Sequence, residues 1–372
     1  MLLLTGATGL VGGELLRALS AANPNRRIGV LVRNPAKLRI EERLANVEFL
    51  HGDLTAQQLG LADTEIKQLQ SDLTEVLHCA AETRFSLPLN EIRRTNVIGT
   101  ANLLKLASRC SHLRKFAYVS TVYVAGRTEG RISEAPIVSS PAFSNSYQQS
   151  KFEAEQVVLS YAEQMPVAIF RLSSIIGDSQ TGQVTQFNYV HHLLRLFPRN
   201  VLPVFPGNPK APMDLISSDW ALPALAWLFE NHFSAGQIFH LCAGAANSLT
   251  LQEMVELTTQ VFEAHPQSRR WKPIRVPQMV SLAEYMVSLA EYEECTKERL
   301  RNGDRLLTEL LRVLNFFVPQ LAFYQEFENR RTLSVLSDSD LRIPAIRETY
   351  GRVVNYCIDT HWGQHASAAR HC

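Results

Sequence analysis

The 372-residue sequence predicts an α/β fold: a parallel, doubly wound sheet with a smaller, mainly helical carboxyl-terminal region beside it. Three observations predict it. Short apolar strands alternate with helical segments through the first half of the chain, a glycine-rich turn joins the first strand to the first helix, and the rhythm breaks after Gly177. Strand and helix alternating at this pitch imply right-handed βαβ crossovers, and those build a parallel sheet covered on both faces.

Leu2-Leu3-Leu4 reads as a short buried strand, and Gly6 through Gly12 as the turn. Leu15, Leu16 and Leu19 share one side of a helix over 10–21, closed by Asn23-Pro24. Strands follow at 28–32, 47–50 and 75–78, with helices expected over 57–70 and 87–109. A fifth strand at 116–119, a helix over 146–164 and a sixth strand at 167–170 complete the alternation. Five prolines between Pro198 and Pro212 read as loop. Helices resume at 217–231 and 250–264, with a strand at 237–241 between them, and 279–327 reads as predominantly helical. The heptad MVSLAEY occurs twice in succession from Met279, placing Leu282, Met286 and Leu289 on one face; a single duplication predicts a packing helix, not a coiled coil.

Composition bounds the class. The prior of ~150 residues per domain suggests about two units. These are expected as a dinucleotide-binding unit over 1–182, with a segment returning near 215–245, and a substrate-binding region over 183–214 and 246–372. Hydrophobic residues at 46% and charged residues at 20% exclude a disordered chain. A formal net charge of +1 offers no global attraction for nucleic acid. Cys79, Cys110, Cys242, Cys295, Cys357 and Cys372 are scattered without a C-x-x-C pair, which predicts neither a disulfide scaffold nor a zinc site. The amino-terminal apolar run ends at Thr5-Gly6 with no basic stretch before it, and nothing reaches the ~18–20 apolar residues of a spanning helix. A cytoplasmic protein without a transmembrane segment is expected.

Thr5-Gly6-Ala7-Thr8-Gly9-Leu10-Val11-Gly12 carries glycine where a phosphate cradle asks for it. Gly6 permits the tight turn, Gly9 has no Cβ to block a pyrophosphate, and Gly12 lets helix approach strand, while the helix N-terminus offers free N–H groups. Arg33 stands at the end of the second strand with Lys37 close behind; an Asp there would accept the ribose 2′-hydroxyl, whereas a guanidinium binds a 2′-phosphate. The expected cofactor is therefore NADP(H). Asp53 is placed to accept from the adenine amine, and Ala80 and Ala81 are small enough to lie against ribose and pyrophosphate.

Tyr147 and Lys151 are spaced i, i+4 and leave one helical face. An ammonium there lowers a phenol pKa of ~10 and makes the tyrosine a usable acid or base. The hydroxyl of Thr121, or of Ser120, ends the fifth strand at the carboxyl edge of the sheet, where such folds bind ligands.

Together these motifs resemble the extended short-chain dehydrogenase/reductase superfamily, with its Rossmann sheet. Gly52-Asp53-Leu54 with Leu59-Gly60-Leu61, Ala80 through Leu89 running into Asn96-Val97-Ile98-Gly99-Thr100, and Arg171 through Gly182 are similar to its thioester reductase and fatty acyl-CoA reductase branch. Leu172 departs from it, standing where proline is usual. The resemblance implies Thr121, Tyr147 and Lys151 as the catalytic set. It implies a cofactor site of Gly6, Thr8, Gly9, Leu10, Val11, Gly12, Arg33, Lys37, Asp53, Leu54, Ala80, Ala81, Asn96, Tyr147, Lys151 and Ser173, with Asn96 either acting on Lys151 through water or packing as a structural residue under the helix. The implied activity is NADPH-dependent reduction of an acyl thioester, on CoA or a carrier protein, to aldehyde or onward to alcohol. Reduction of a free ketone or aldehyde, sugar-nucleotide epimerisation or dehydration, and non-catalytic NADP(H) binding are the alternatives. Three other features take bland readings: His191-His192 as structural or substrate-lining, 306–327 as core packing, and Arg269-Arg270-Trp271-Lys272 as a solvated turn. No metal site is expected, and the oligomeric state is open.

Overall fold

The protein is described by a computed structural model covering residues 1–37, 44–201 and 203–363. Seven strands form the main sheet: β1 (Leu2–Thr5), β2 (Ile28–Val32), β3 (Val47–His51), β4 (Glu75–His78), β5 (Lys115–Thr121), β6 (Val167–Leu172) and β7 (Ile238–Leu241). Their order is β7-β6-β5-β4-β1-β2-β3, and every pairing is parallel. Leu4 of β1 lies opposite Val30 of β2 and Leu77 of β4. The order runs outward from β1 to β3, then resumes on the other side at β4. That reversal opens a crevice at the carboxyl ends of the strands, the usual place for a ligand in such sheets.

The helices are α1 (Leu10–Ala22), α2 (Asp63–Asp72), α3 (Leu89–Arg93), α4 (Thr100–Ala107), α5 (Ser146–Leu159), α6 (Tyr189–Leu194), α7 (Ser218–Asn231), α8 (Leu251–Ala264), α9 (Leu282–Arg301), α10 (Arg305–Phe316), α11 (Arg330–Leu336) and α12 (Ile346–Asp359). Alternation along β1 explains the layering. Leu2 and Leu4 join the core beneath α1 and α7, and Leu3 joins the core beneath α4 and α5. A strand covered on both faces is apolar at every position, as β1 is. A third core lies off the sheet, where α6, α8, α10 and α12 bring together Leu193, Met254, Leu310 and Val353.

Several expectations change. The helix expected over 57–70 starts only at Asp63, because Gln58, Leu59 and Gly60 all take left-handed φ of 51°, 59° and 68°. The kink buries Leu59 and sends its carbonyl back to accept from Asp53 N at 2.7 Å. The helix expected over 87–109 is three pieces, with a π-helical turn over Arg94–Gly99 between α3 and α4. The proline-rich loop contains short strands, Val204–Pro206 and Pro212–Met213. The duplicated heptad keeps Leu282 and Leu289 against the third core, but Tyr285 completes that face and Met286 is exposed. Tyr285 wins because its phenol donates to the Leu314 carbonyl of α10 at 2.8 Å, so an amphipathic ring outcompetes a flexible thioether. Leu172 closes β6 in register with Thr121 and Leu241, and its loop begins only after the ladder ends.

The chain beyond α10 is pinned to the sheet layer. Gln325–Phe327 pairs in parallel with Gly130–Ile132. Two residues on, the buried carboxylate of Glu134 accepts from His240 N at 3.1 Å, Arg331 N at 2.7 Å, Thr332 N at 3.1 Å and the Thr332 hydroxyl. The five cysteines among the described residues are free thiols, while Cys372 and the end of the expected 246–372 region lie outside them. Among the described residues, no helix is long and apolar enough to cross a membrane.

Candidate active site

A cleft of about 1250 Å³ runs along the carboxyl ends of the strands, from the glycine turn to α10. At its first end Gly6 sits at φ +79°, where an added Cβ would lie 2.5 Å from Ala80 N, and a Cβ on Gly12 would lie 2.4 Å from Gly6 O. Both positions demand glycine for chain packing. Gly9 is different: its Cβ would meet only Gly6 O at 3.5 Å, so the third side of the turn faces open cleft. The first N–H of α1, on Leu10, donates to Gln186 Oε1 at 3.2 Å, which marks it as a donor facing the cleft. Ser120 Oγ, also in the wall, is buried with no partner among the described residues. An open glycine cradle at a helix N-terminus, with an orphaned hydroxyl further along, fits a dinucleotide.

The sequence-predicted cofactor residues mostly converge there. Gly6, Thr8, Gly9, Leu10, Val11, Gly12, Arg33, Asp53, Leu54, Ala80, Ala81, Tyr147, Lys151 and Ser173 all border the cleft. Arg33 is exposed at its rim. Asp53 Oδ1 accepts from Thr55 N at 2.8 Å and Thr55 Oγ1 at 2.9 Å, an arrangement that holds the carboxylate in place and leaves Oδ2 for a ligand. Ser173 donates its hydroxyl to the Asp214 carbonyl at 2.7 Å. Lys37 ends a 3-10 turn, and its side chain lies outside the described residues. Asn96 does not border the cleft. Its amide bridges the loop after β4 to α5, accepting from Glu82 N at 2.7 Å and donating to Glu82 O and Ser150 Oγ, each at 2.9 Å.

Helix α5 sets the second group. Asn145 caps it by accepting from Gln148 N at 3.0 Å, and Ser146 ties it to the 83–88 loop by donating to the Leu87 carbonyl at 2.6 Å. Tyr147 then faces the cleft beside Thr121, with Lys151 one turn on and 2% exposed. Burial drives the Lys151 ammonium down to about 7, while the Glu155 carboxylate on the next turn pulls it back up. Burial raises the Tyr147 phenol above its ordinary value, and its hydrogen bond with Thr121 partly offsets this. The expected lowering by Lys151 is not what this structure holds. The ammonium donates to Tyr118 Oη and to the Val119 carbonyl instead.

At the far end the cleft turns aromatic. Phe85 packs on Tyr147 at 5.2 Å and on Tyr189 at 4.8 Å, and Phe317 packs on Tyr189 at 4.0 Å between ring centroids. Tyr123, Ser174 and Tyr189 add hydroxyls to the same stretch of wall. Sequence reasoning did not single out Tyr123, Ser174 and Tyr189, which line the cleft, or Tyr118, which accepts from Lys151. The available signal was position: Tyr118 is on β5 just before Thr121, Tyr123 just beyond it, and Ser174 follows the end of β6.

The histidine pair divides. His191 is buried, accepting from Asn188 N at 2.9 Å and bonded through Nε2 to the Ile176 carbonyl at 2.8 Å, whereas His192 borders the cleft. Adjacent helical residues leave on different faces, and the described residues hold no metal-ligating group of His, Cys, Asp or Glu. Helix α10 buries Leu307, Leu310 and Leu314 in the third core and gives Val313 and Phe316 to the cleft. Arg269, Arg270 and Lys272 are exposed around Trp271, which packs on Phe262 at 5.2 Å.

Residues 4–225 match the profile of an NAD-binding family described as male sterility protein. A Drosophila melanogaster protein named for fatty acyl-CoA reduction is 24% identical over 379 residues, covering 86% of this chain and 66% of its own length. A nonribosomal peptide synthetase of Aspergillus flavus is 28% identical over 267 residues, covering 64% of this chain and 26% of its own. The chain thus spans less than two thirds of either relative. In three dimensions it is similar to the terminal R domain of the myxalamid PKS-NRPS pathway, with a TM-score of 0.79, 23% identity and coverage of 97% and 91% of the two chains.

Proposed function

This chain belongs to the male sterility protein family of NAD-binding domains, and on that footing we propose that it is an NADPH-dependent reductase of acyl thioesters. The observation that carries the reading is the placement of Thr121, Tyr147 and Lys151 in one cleft, between a glycine phosphate cradle and an apolar aromatic wall. The relatives named for fatty acyl-CoA reduction and peptide synthesis support a substrate whose acyl group is carried on CoA or a carrier protein. The aromatic wall favours an acyl chain over a sugar, and Arg33 favours NADP(H) over the unphosphorylated cofactor.

NADPH supplies the hydride when bound. The glycine turn and the α1 N-terminus would hold its pyrophosphate, Arg33 its 2′-phosphate, and Asp53 its adenine. Lys151 has one N–H beyond those given to Tyr118 and Val119, and that donor reaches for the nicotinamide ribose hydroxyls. Tyr147 and Thr121 hydrogen-bond the thioester oxygen as negative charge develops on it, and Tyr147 passes its proton to that oxygen. Collapse of the tetrahedral adduct expels the thiol and leaves an aldehyde; going on to the alcohol would take a second equivalent of NADPH. Residues 1–182 with 215–245 form the cofactor-binding unit in this reading, and 183–214 with the segment after 246 form the substrate cover.

The test is incubation with NADPH and a panel of acyl-CoAs and acyl-carrier proteins, with products read by mass spectrometry. Aldehyde or alcohol from a thioester is the expected result, and the two arms separate the carriers. Reduction of free carbonyl compounds with no product from any thioester overturns the reading.

A further inference from the structure

Thioester reduction, the functional reading on which this inference rests, makes a demand that Tyr147 does not meet alone. When the tetrahedral adduct collapses, its oxygen loses a proton while its sulfur gains one. One phenol cannot be base to the first atom and acid to the second in the same step. Tyr147, beside Thr121, serves the oxygen.

A second proton source stands next to it. Tyr123 Oη lies 2.9 Å from Ser174 Oγ, and Ser174 Oγ lies 2.6 Å from Tyr189 Oη. Three hydroxyls own three protons, and the two bonds between them use two. With Tyr123 donating to Ser174 and Ser174 donating to Tyr189, the Tyr189 phenol keeps its O–H for a ligand, and all three residues border the cleft. Phe85 sets the geometry, because its ring packs on both Tyr147 and Tyr189. Phe317 holds Tyr189 from α10. The three hydroxyls come from separate places in the chain: the turn after β5, the residues after β6, and the start of α6. Their convergence therefore does not follow from any one element.

We propose that Tyr189, fed through Ser174 by Tyr123, is the proton donor to the departing thiolate. As the carbon–sulfur bond breaks, its electron pair goes to sulfur, and sulfur takes the Tyr189 proton. The oxygen returns its proton to Tyr147 as the carbonyl double bond reforms. Tyr189 is reprotonated from Ser174, Ser174 from Tyr123, and Tyr123 from water. No oxidation or reduction accompanies this step, since the nicotinamide hydride is already on carbon. Burial acts on donor and acceptor alike, raising the Tyr189 phenol well above its ordinary value as it raises a thiol in the same cleft. Cys79 borders the same cleft, and burial pushes its thiol up to about 12. A thiolate released there meets the same desolvation.

The experiment compares octanoyl-CoA with the octanoyl thioester of thiophenol, whose more acidic thiol departs without protonation. Tyr189→Phe and Ser174→Ala are each expected to lower kcat for octanoyl-CoA roughly 10–100-fold, the range of a lost general acid, and to leave the aryl thioester within about threefold of wild type. Cofactor binding, followed by nicotinamide fluorescence, confirms that each variant is folded. Equal losses on both thioesters, or no loss on either, overturn the proposal. If wild-type protein turns over neither thioester, the functional reading fails and the proton donor with it; failure of the variants' pattern alone removes only the donor.

Discussion

Lys151 Nζ donates to Tyr118 Oη at 2.6 Å, and the same ammonium lies 4.1 Å from the centroid of the Tyr118 ring. Tyr118 is itself backed by a buried chain. The His78 ring, kept neutral by burial, reaches Thr100 Oγ1 at 2.9 Å through Nε2 and Thr5 Oγ1 at 2.7 Å through Nδ1. Lys151 is thus steadied from below the sheet edge. Tyr118→Phe keeps the ring and removes the acceptor. A hydrogen bond to a charged group is worth about 1.5–3 kcal/mol, so the Lys151 pKa falls by about one unit or more. Because the charged form exists below its pKa, the high-pH limb of kcat moves toward acid in the variant. An unmoved limb in the pH–rate profile contradicts the assignment.

The depressed lysine also predicts how stability depends on pH. Lys151 titrates near 7 in the folded chain against its usual 10.5. Between those values the unfolded chain holds a proton that the folded chain has released, so stability rises with pH. Cys79, whose thiol is raised from 9.0 to about 12, opposes this once the unfolded thiol ionises near pH 9. The clean window is pH 7 to 9. Melting temperatures of the cofactor-free protein are expected to climb across it, and Lys151→Met should flatten the climb.

Tyr147→Phe removes the proposed proton donor to the substrate oxygen while leaving the ring on Phe85. NADPH oxidation is expected to fall by about 10²–10⁴-fold with cofactor affinity unchanged. Thr121→Ala, losing one hydrogen-bond donor to the developing oxyanion, costs about 10²–10³-fold. Stopped-flow absorbance with a parallel binding titration separates chemistry from binding.

Arg33→Ala tests the cofactor preference. Loss of a guanidinium from a phosphate site raises KM for NADPH roughly 10–100-fold, with kcat nearly constant and NADH little affected. Equal effects on both cofactors would place Arg33 outside the 2′-phosphate site.

Between α5 and β6, Arg171 and Glu155 form a fully buried ion pair at 2.7 Å, and Arg171 also donates to the Ala135 carbonyl at 3.1 Å. Arg171→Met strands the carboxylate and is expected to destabilise the fold by about 3–5 kcal/mol. Adding Glu155→Leu should recover most of that loss in denaturant unfolding. Failure to recover it means that the pair contributes beyond charge compensation.

Legibility in the sequence tracks locality. The glycine turn and the Tyr147–Lys151 spacing are local patterns, and they fall where the chemistry of their neighbours requires. The left-handed run at Gln58, Leu59 and Gly60 was hidden because two of its three residues are not ones that usually take that conformation. The Tyr123–Ser174–Tyr189 chain spans 66 positions of sequence, and no periodicity relates its members. Asn96 was legible as a polar residue near the site, but its engagement with the Glu82 main chain depends on a π-turn that composition does not announce. Tyr285 displaced Met286 from the interior because a partner carbonyl on α10 was waiting for its hydroxyl.

The carboxylate of Glu134 has a bearing on where this chain can be cut. It gathers donors from β7 and from the first turn of α11, so removing residues 325–363 would strip the carboxylate of most of its partners. A fragment ending after α8 would retain every strand of the main sheet, yet it would carry that uncompensated charge at the base of the edge strand. Limited proteolysis in the 317–324 stretch should therefore release no stable amino-terminal fragment: the two pieces stay associated or unfold together.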